Sequence, residues 1–267
     1  LTPLTADAIG GVTPEFAGVY PAGWAYTARP AGYAFGSPDR QFALILDVTN
    51  PDHLAALRER VSGGSLRGVV NNAGIAVPGP LEELALDDLR RQFEVNVFAG
   101  VAVAQATLPA LRTGRGRIVN IGSIGGRVGQ SFVGAYCGSK GAVHLMSASL
   151  RRELRPWGIW VACVEPGVID TEIWGKGQSS AEDLLEGLSP EGRARYGERM
   201  AQMSDLVGEQ TQDALSPDEV AERVEHALTS RRPRAYYLIG RDAHGLALLD
   251  KLPARVTDRI LERILGL

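Results

Sequence analysis

From Gln41 onward, short β-branched runs alternate with longer stretches in which apolar residues return every three or four positions. That is the rhythm of parallel strands joined by crossover helices. Residues 42–48 (FALILDV) read as a strand and Pro51–Val61 as a helix with proline in its first turn. Residues 66–74 form the next strand and its exit loop, 86–111 a long helical stretch, and 117–123 a buried strand. A helix over 134–155 and a strand over 158–167 complete the order β-α-β-α-β-α-β. Residues 172–216 break the pattern, with scattered Gly and Ser and separate helical pieces such as 181–188, as expected of an insertion over a site. The rhythm resumes with a helix at 217–228, a strand at 235–240 and a terminal amphipathic helix carrying Val256, Ile260, Leu261, Ile264 and Leu265. The first forty residues, rich in Gly and Pro, show a strand, turn and helix only faintly. The pattern predicts one α/β domain over 1–267, a doubly wound parallel sheet with helices on both faces and a variable lid at 172–216.

Composition narrows what such a domain can do. Its 267 residues, 45% of them hydrophobic, can fill one sizeable core. A net charge of -3 provides no basic surface for a long nucleic-acid footprint, so no nucleic-acid partner is expected. Cys137 and Cys163 form no C-x-x-C pair and the histidines do not cluster, which predicts neither a disulfide framework nor a metal site. A reducing, cytoplasmic setting fits. No uninterrupted apolar run reaches the ~18 residues of a membrane span, so a soluble chain is expected. The chain opens on Leu1 and not on methionine, so residues before it are expected.

The strongest chemical signal is YCGSK, Tyr136 to Lys140, where a spacing of four puts both side chains on one helix face. An ammonium one turn from a phenol favours the phenolate, so Tyr136 could exchange a proton with a substrate oxygen while a hydride moves at carbon. Alone, such a pair is as readily a solvated helix face. Ser123, thirteen residues upstream, ends a buried strand where open α/β sheets place their ligands, and its hydroxyl could orient a carbonyl. Asn96 in EVNVFAG interrupts an apolar helix; it needs partners there, or it simply kinks the helix.

NNAG at residues 71–74, the asparagine of NVFAG, the serine of NIGS, YCGSK and the turn PGVIDT occur in the order and approximate spacing of the short-chain dehydrogenase/reductase family. The sequence resembles that family strongly over residues 47–171, and GRVGQSFVGAYCGSK with RRELRPWGIWVACVEPG resembles its steroid and retinol dehydrogenase branch. The resemblance implies a Rossmann fold and an NAD(P)-dependent oxidoreductase. It implies Tyr136 as catalytic acid/base, Lys140 lowering its pKa and binding the nicotinamide ribose, Ser123 polarising the substrate oxygen, and Asn96 holding a water in a relay through Lys140. Asn72, Ala73 and Gly74 would pack beside the adenosine, Asp47 and Val48 near the adenine, and Pro166, Gly167, Val168 and Thr171 at the nicotinamide end.

The glycine-rich turn T-G-x-x-x-G-x-G departs from the family: the nearest text, LTADAIGG, retains Gly10 but never all three glycines. Arg29, nineteen residues past Gly10, falls where the second strand would choose between cofactors. An arginine there accommodates a 2′-phosphate, so NADP is expected over NAD.

A serine hydrolase is a poor fit, because IGSIG breaks the G-x-S-x-G elbow at Ile121 and the four histidines have no evident partner. The remaining alternative is a cofactor-impaired member of the fold acting as a binding or regulatory subunit, supported by the altered turn alone. Trp174, Leu184, Leu185, Leu188, Tyr196, Met200 and Met203 supply possible apolar walls, which predicts an apolar alcohol or carbonyl substrate. A homodimer or homotetramer is expected, with the small residues Gly134, Ala135, Gly138, Ser139, Gly141, Ala142 and Ala148 and the neighbouring Val97, Val101, Leu108 and Leu111 forming the contact, unless the same faces cover the sheet.

Overall fold

The computed structural model describes residues 47–169, 187–210 and 214–264. Asp47 to Thr49 form a turn in which Asp47 Oδ1 accepts the Thr49 N–H at 2.8 Å and its hydroxyl at 2.7 Å. This corrects the end of the strand expected at 42–48, because the Asp47 carboxylate folds onto its own backbone; residues 42–46 lie outside the described region. Helix α1 (Pro51–Val61) starts as the sequence predicts, capped by Asn50, whose side chain accepts the N–H groups of Asp52 at 2.9 Å and His53 at 3.4 Å.

Strands β1 (Gly68–Asn71), β2 (Arg117–Ile121), β3 (Trp160–Pro166) and β4 (Tyr236–Ile239) lie side by side in chain order, every pair parallel. Alternate residues of each strand serve opposite faces. Val69, Ile118 and Val161 pack with Leu111, Leu154 and Ala104, while Val119, Ala162 and Val164 pack with Ala227 and Ile239 on the other side.

The helical stretch expected at 86–111 is not continuous. Helix α2 (Leu86–Phe93) passes through a widened π turn, Glu94–Phe98, into α3 (Ala99–Gly114). There the Ala99 N–H reaches back to the Glu94 carbonyl, the extra residue rotating the Asn96 side chain inward. By length and apolarity the run Leu86–Gly114 could cross a membrane. Its Ala104 and Leu111 nevertheless sit in the sheet core.

Helix α4 (Gly134–Leu154) carries the Tyr-Lys pair. While the helical piece expected at 181–188 falls largely outside the described residues, within 172–216 lies a 21-residue helix, α5 (Pro190–Gln210), on which Tyr196, Met200 and Met203 share one face. Its glycines Gly192, Gly197 and Gly208 dilute the helical signal in the sequence. Residues 170–186, including Trp174, Leu184 and Leu185, lie outside the described region. Helix α6 (Pro217–Thr229) opens on a capping box of Ser216 and Glu219. Helix α7 (Arg241–Leu249), which the sequence reading missed, precedes the expected terminal amphipathic helix, α8 (Ala254–Ile264), with Pro253 parting the two.

Candidate active site

Ser123 leaves β2 and caps a short 3-10 turn, Ile124–Gly126, its Oγ accepting the Gly125 N–H at 3.1 Å. That turn lies directly on α4: a Cβ added to Gly126 would stand 2.7 Å from the Lys140 carbonyl oxygen, an approach that only glycine permits. The close packing sets the Ser123 hydroxyl and the Tyr136 ring side by side against Gly125, where the serine favours the phenolate. One turn along α4, Lys140 Nζ lies 5.7 Å from the centre of the Tyr136 ring and donates to the Ile121 carbonyl oxygen at 2.7 Å. Ser123 and Lys140 are buried and Tyr136 half-buried.

Burial acts on both titrating groups with opposite signs, because each loses the water that would solvate its charged form. It pushes the Tyr136 phenol up to about 12, against the lowering effect of the Ser123 hydroxyl. It draws Lys140 down to about 8. At neutral pH the pair is therefore a protonated phenol beside an ammonium.

Asn96 joins this cluster from the π turn. Its Oδ1 accepts the Ile75 N–H at 2.8 Å, and its Nδ2 donates to the Ile75 carbonyl at 2.9 Å and to Ser139 Oγ at 3.0 Å. The side-chain amide thus ties the loop leaving β1 to α4. Gln92, which the sequence reading missed, adds to the tie from a fully buried position. Its Nε2 donates to the Ile75 carbonyl at 2.6 Å and its Oε1 accepts the Val77 N–H at 2.7 Å. The available signal was a second amide four residues before Asn96, on the same helix face.

In this loop Asn72 is exposed while Ala73 and Gly74 are half-buried. A Cβ on Gly74 would lie 3.5 Å from Asn96 Oδ1 and 3.6 Å from Lys140 Nζ, so the missing side chain leaves the ammonium approachable from the β1 end of the sheet. Pro166 ends β3, and Gly167 and Val168 follow it, the Val168 N–H donating to Asp242 Oδ2 at 2.8 Å. Asp47 and Val48 stand in the turn before α1. Gly10, Arg29 and Thr171 lie outside the described residues. Arg127 and Glu165, absent from the sequence reading, meet under the Ser123 turn with His144, which was expected to have no partner and is instead bonded to Glu165.

Helix α5 docks against Glu82, in the segment between β1 and α2. Arg195 Nη1 donates to Glu82 at 2.6 Å, Tyr196 donates to the same carboxylate, and the Tyr196 ring meets Phe132 edge-on at 6.2 Å. A cavity of about 350 Å³ between Arg127, Val128 and Gly129 and the C-terminal helices has mixed walls, Leu252, Ala254 and Leu261 alternating with Asp250 and Asp258.

A parallel sheet with ammonium, phenol and hydroxyl gathered at its carboxyl edge defines a dinucleotide-dependent oxidoreductase framework. The residues suit the nicotinamide half of such a cofactor: Gly74 leaves room where a side chain would shield Lys140. The profile of the short chain dehydrogenase family matches residues 34–182, more than half of the chain. Short-chain dehydrogenase/reductase family 9C member 7 of Bos taurus is 39% identical over 232 residues, covering 83% of this chain and 74% of the relative. Retinol dehydrogenase 5 of Mus musculus is 38% identical over 239 residues, 85% of this chain and 74% of the relative. A short-chain dehydrogenase structure from Streptomyces avermitilis superposes with a TM-score of 0.64 at 29% identity, over 85% of this chain and 81% of that one. One from Burkholderia cenocepacia J2315 in complex with NADP has a TM-score of 0.61 at 24% identity, over 81% of this chain and 76% of that one. The chain belongs to the short-chain dehydrogenase/reductase family, close to its retinol dehydrogenase branch. It has the Rossmann fold and is an NAD(P)-dependent oxidoreductase acting on alcohols.

Proposed function

We propose that this protein interconverts an apolar primary or secondary alcohol with its aldehyde or ketone, with Tyr136 as the acid/base. The observation that carries this is the Ser123 hydroxyl beside the Tyr136 phenol with the buried Lys140 ammonium one turn away. In reduction, Tyr136 gives its proton to the substrate oxygen while Ser123 hydrogen-bonds the same oxygen; in oxidation, the phenolate takes the proton back. The bound nicotinamide supplies or accepts the hydride at carbon. Lys140 holds the ammonium charge that favours the phenolate, and Asn96 keeps the β1 loop and α4 in register.

On the family pattern, Tyr136 and Lys140 would hold the nicotinamide ribose, Pro166, Gly167, Val168 and Thr171 the nicotinamide, Asn72, Ala73 and Gly74 the adenosine, and Asp47 and Val48 the adenine. Gly10 would stand at the pyrophosphate turn, and Arg29 would favour NADP over NAD. The shared face of Tyr196, Met200 and Met203, together with relatives named retinol dehydrogenases, supports an apolar substrate. An oligomer built on α3 and α4 is supported by the exposed Phe98, Leu145 and Met146. Leu108 and Leu111, by contrast, serve the chain's own core.

The test is Tyr136→Phe, assayed with retinol or a steroid alcohol and either cofactor by nicotinamide absorbance. Turnover should fall by about 10²-fold or more with nucleotide affinity changed far less, because Lys140 keeps its contact to the ribose. Parental turnover in the variant would reject the mechanism, and lack of nucleotide binding by the parent would favour the regulatory subunit.

A further inference from the structure

The Glu165 carboxylate has no solvent exposure, yet it belongs to the next-to-last residue of β3, just before the turn that Gly167 begins. Both of its oxygens are occupied. Oε2 accepts from Arg127 Nε at 2.9 Å and Nη2 at 2.5 Å, and Oε1 is bonded to His144 Nδ1. Arg127 is the residue immediately after the 3-10 turn capped by Ser123, and His144 lies one helical turn beyond Lys140 on α4. A single buried carboxylate therefore grips, with one oxygen each, the element that carries the hydroxyl and the element that carries the phenol and ammonium.

The surroundings hold this arrangement from every side. The His144 ring stacks on Tyr236 of β4 at 4.7 Å and 18°, and the Arg127 and Arg151 guanidinium carbons lie 5.4 and 5.0 Å from the centre of the same ring. A Cβ on Gly122 would come 3.3 Å from Glu165 Cγ, so the strand leading to Ser123 also packs against the carboxylate's stem. Burying a carboxylate is costly without partners, and two nitrogens of one guanidinium on one oxygen fix its direction as well as its charge.

We infer that Glu165 is a positioning residue for this active site, holding the Ser123 turn and the Tyr136 helix at working distance through Arg127 and His144. The inference rests on the reading of Ser123 and Tyr136 as the reacting pair, but its structural half can be measured without turnover. Displacements of about 1 Å at a reacting group can cost on the order of 10²-fold in rate, so a loosened turn is visible in kcat.

The experiment uses the full chain as Arg127→Met, Arg127→Lys and the double variant Arg127→Met with Glu165→Gln. Each is followed by amide hydrogen exchange of residues 122–129, thermal melting, nucleotide affinity, kcat and KM. Arg127→Met should speed exchange in that segment by about tenfold and lower kcat by about 30-fold with nucleotide affinity within about twofold. Arg127→Lys, retaining charge without the fork, should recover part of the rate. The double variant no longer buries an uncompensated carboxylate, so it should melt near the parent while its kcat stays low. A role confined to stability predicts the opposite, with rate returning together with the melting temperature, and would overturn the inference. Unchanged exchange at 122–129 in Arg127→Met would overturn it as well, whatever the turnover. If the parent lacks Tyr136-dependent turnover, the reading of the reacting pair fails by itself and the exchange result still decides whether the clamp exists.

Discussion

The Lys140 ammonium donates a 2.7 Å hydrogen bond to the carbonyl oxygen of Ile121, the last residue of β2. That bond anchors the cation beneath the Tyr136 ring, yet burial draws its pKa down from 10.5 to about 8. A group whose charged form is disfavoured in the fold costs stability below its folded pKa, and the cost is released as pH rises toward the unfolded value. The parent should therefore gain stability between pH 8 and 10.5 relative to Lys140→Met, up to about 3 kcal/mol, in paired chemical denaturation series. Parallel stability curves for the two proteins would contradict this. The variant should be inactive, the buried charge serving chemistry at the expense of the fold.

Activity should carry the same signature. Burial pushes Tyr136 up to about 12, so the phenol stays protonated through neutral pH and can act as the acid of carbonyl reduction. Lys140 loses its proton first, near 8. The expected kcat for reduction is level below about pH 8 and declines above it, measured at saturating cofactor and substrate. A profile flat to pH 10 would show that the ammonium is not needed.

Ser123→Ala removes both the hydroxyl beside the Tyr136 phenol and the cap on the Gly125 N–H. Rate should fall by about 10²- to 10³-fold, as for loss of one preorganised donor, with a much smaller change in KM. Steady-state kinetics on the purified variant decide it. A rise in KM at constant kcat would assign Ser123 to substrate binding alone.

Asn96→Ala strips hydrogen bonds from both the N–H and the carbonyl of Ile75 and from Ser139. Leaving such buried groups unmet costs about 1 to 3 kcal/mol each, though Gln92 still serves the Ile75 carbonyl. The expected net loss is about 2 to 4 kcal/mol in urea unfolding. Asn96→Asp should rescue little, because a carboxylate has no N–H to donate.

For the cofactor, Arg29→Ala should erase a preference for NADP over NAD while leaving NAD affinity nearly unchanged, as read from paired dissociation constants. An unchanged ratio would make Arg29 a surface residue.

The groups proposed to react were legible as candidates because each signal is local. Tyr136 and Lys140 share a helix face through a spacing of four, and Ser123 lies two residues past the end of β2. The widened turn at Glu94–Phe98 was not legible: Asn96 read only as a polar break in an apolar helix, and its reason is Ile75, twenty-one residues earlier and on another element. Helix α5 was hidden by its glycines and is anchored by Glu82, more than a hundred residues away.

By itself the sequence determined the order of the described strands, the parallel α/β class and the candidates proposed for proton transfer. These follow from the periodicity of apolar residues and from spacings within single elements, both of which are properties of neighbouring residues. Only the tertiary structure decided which polar groups would be buried together. Glu165 read as one residue of a strand, Arg127 as part of a loop and His144 as a helix histidine without a partner. Their meeting depends on the approach of β3, the Ser123 turn and α4, and no local pattern encodes a contact between residues 21 and 38 positions apart.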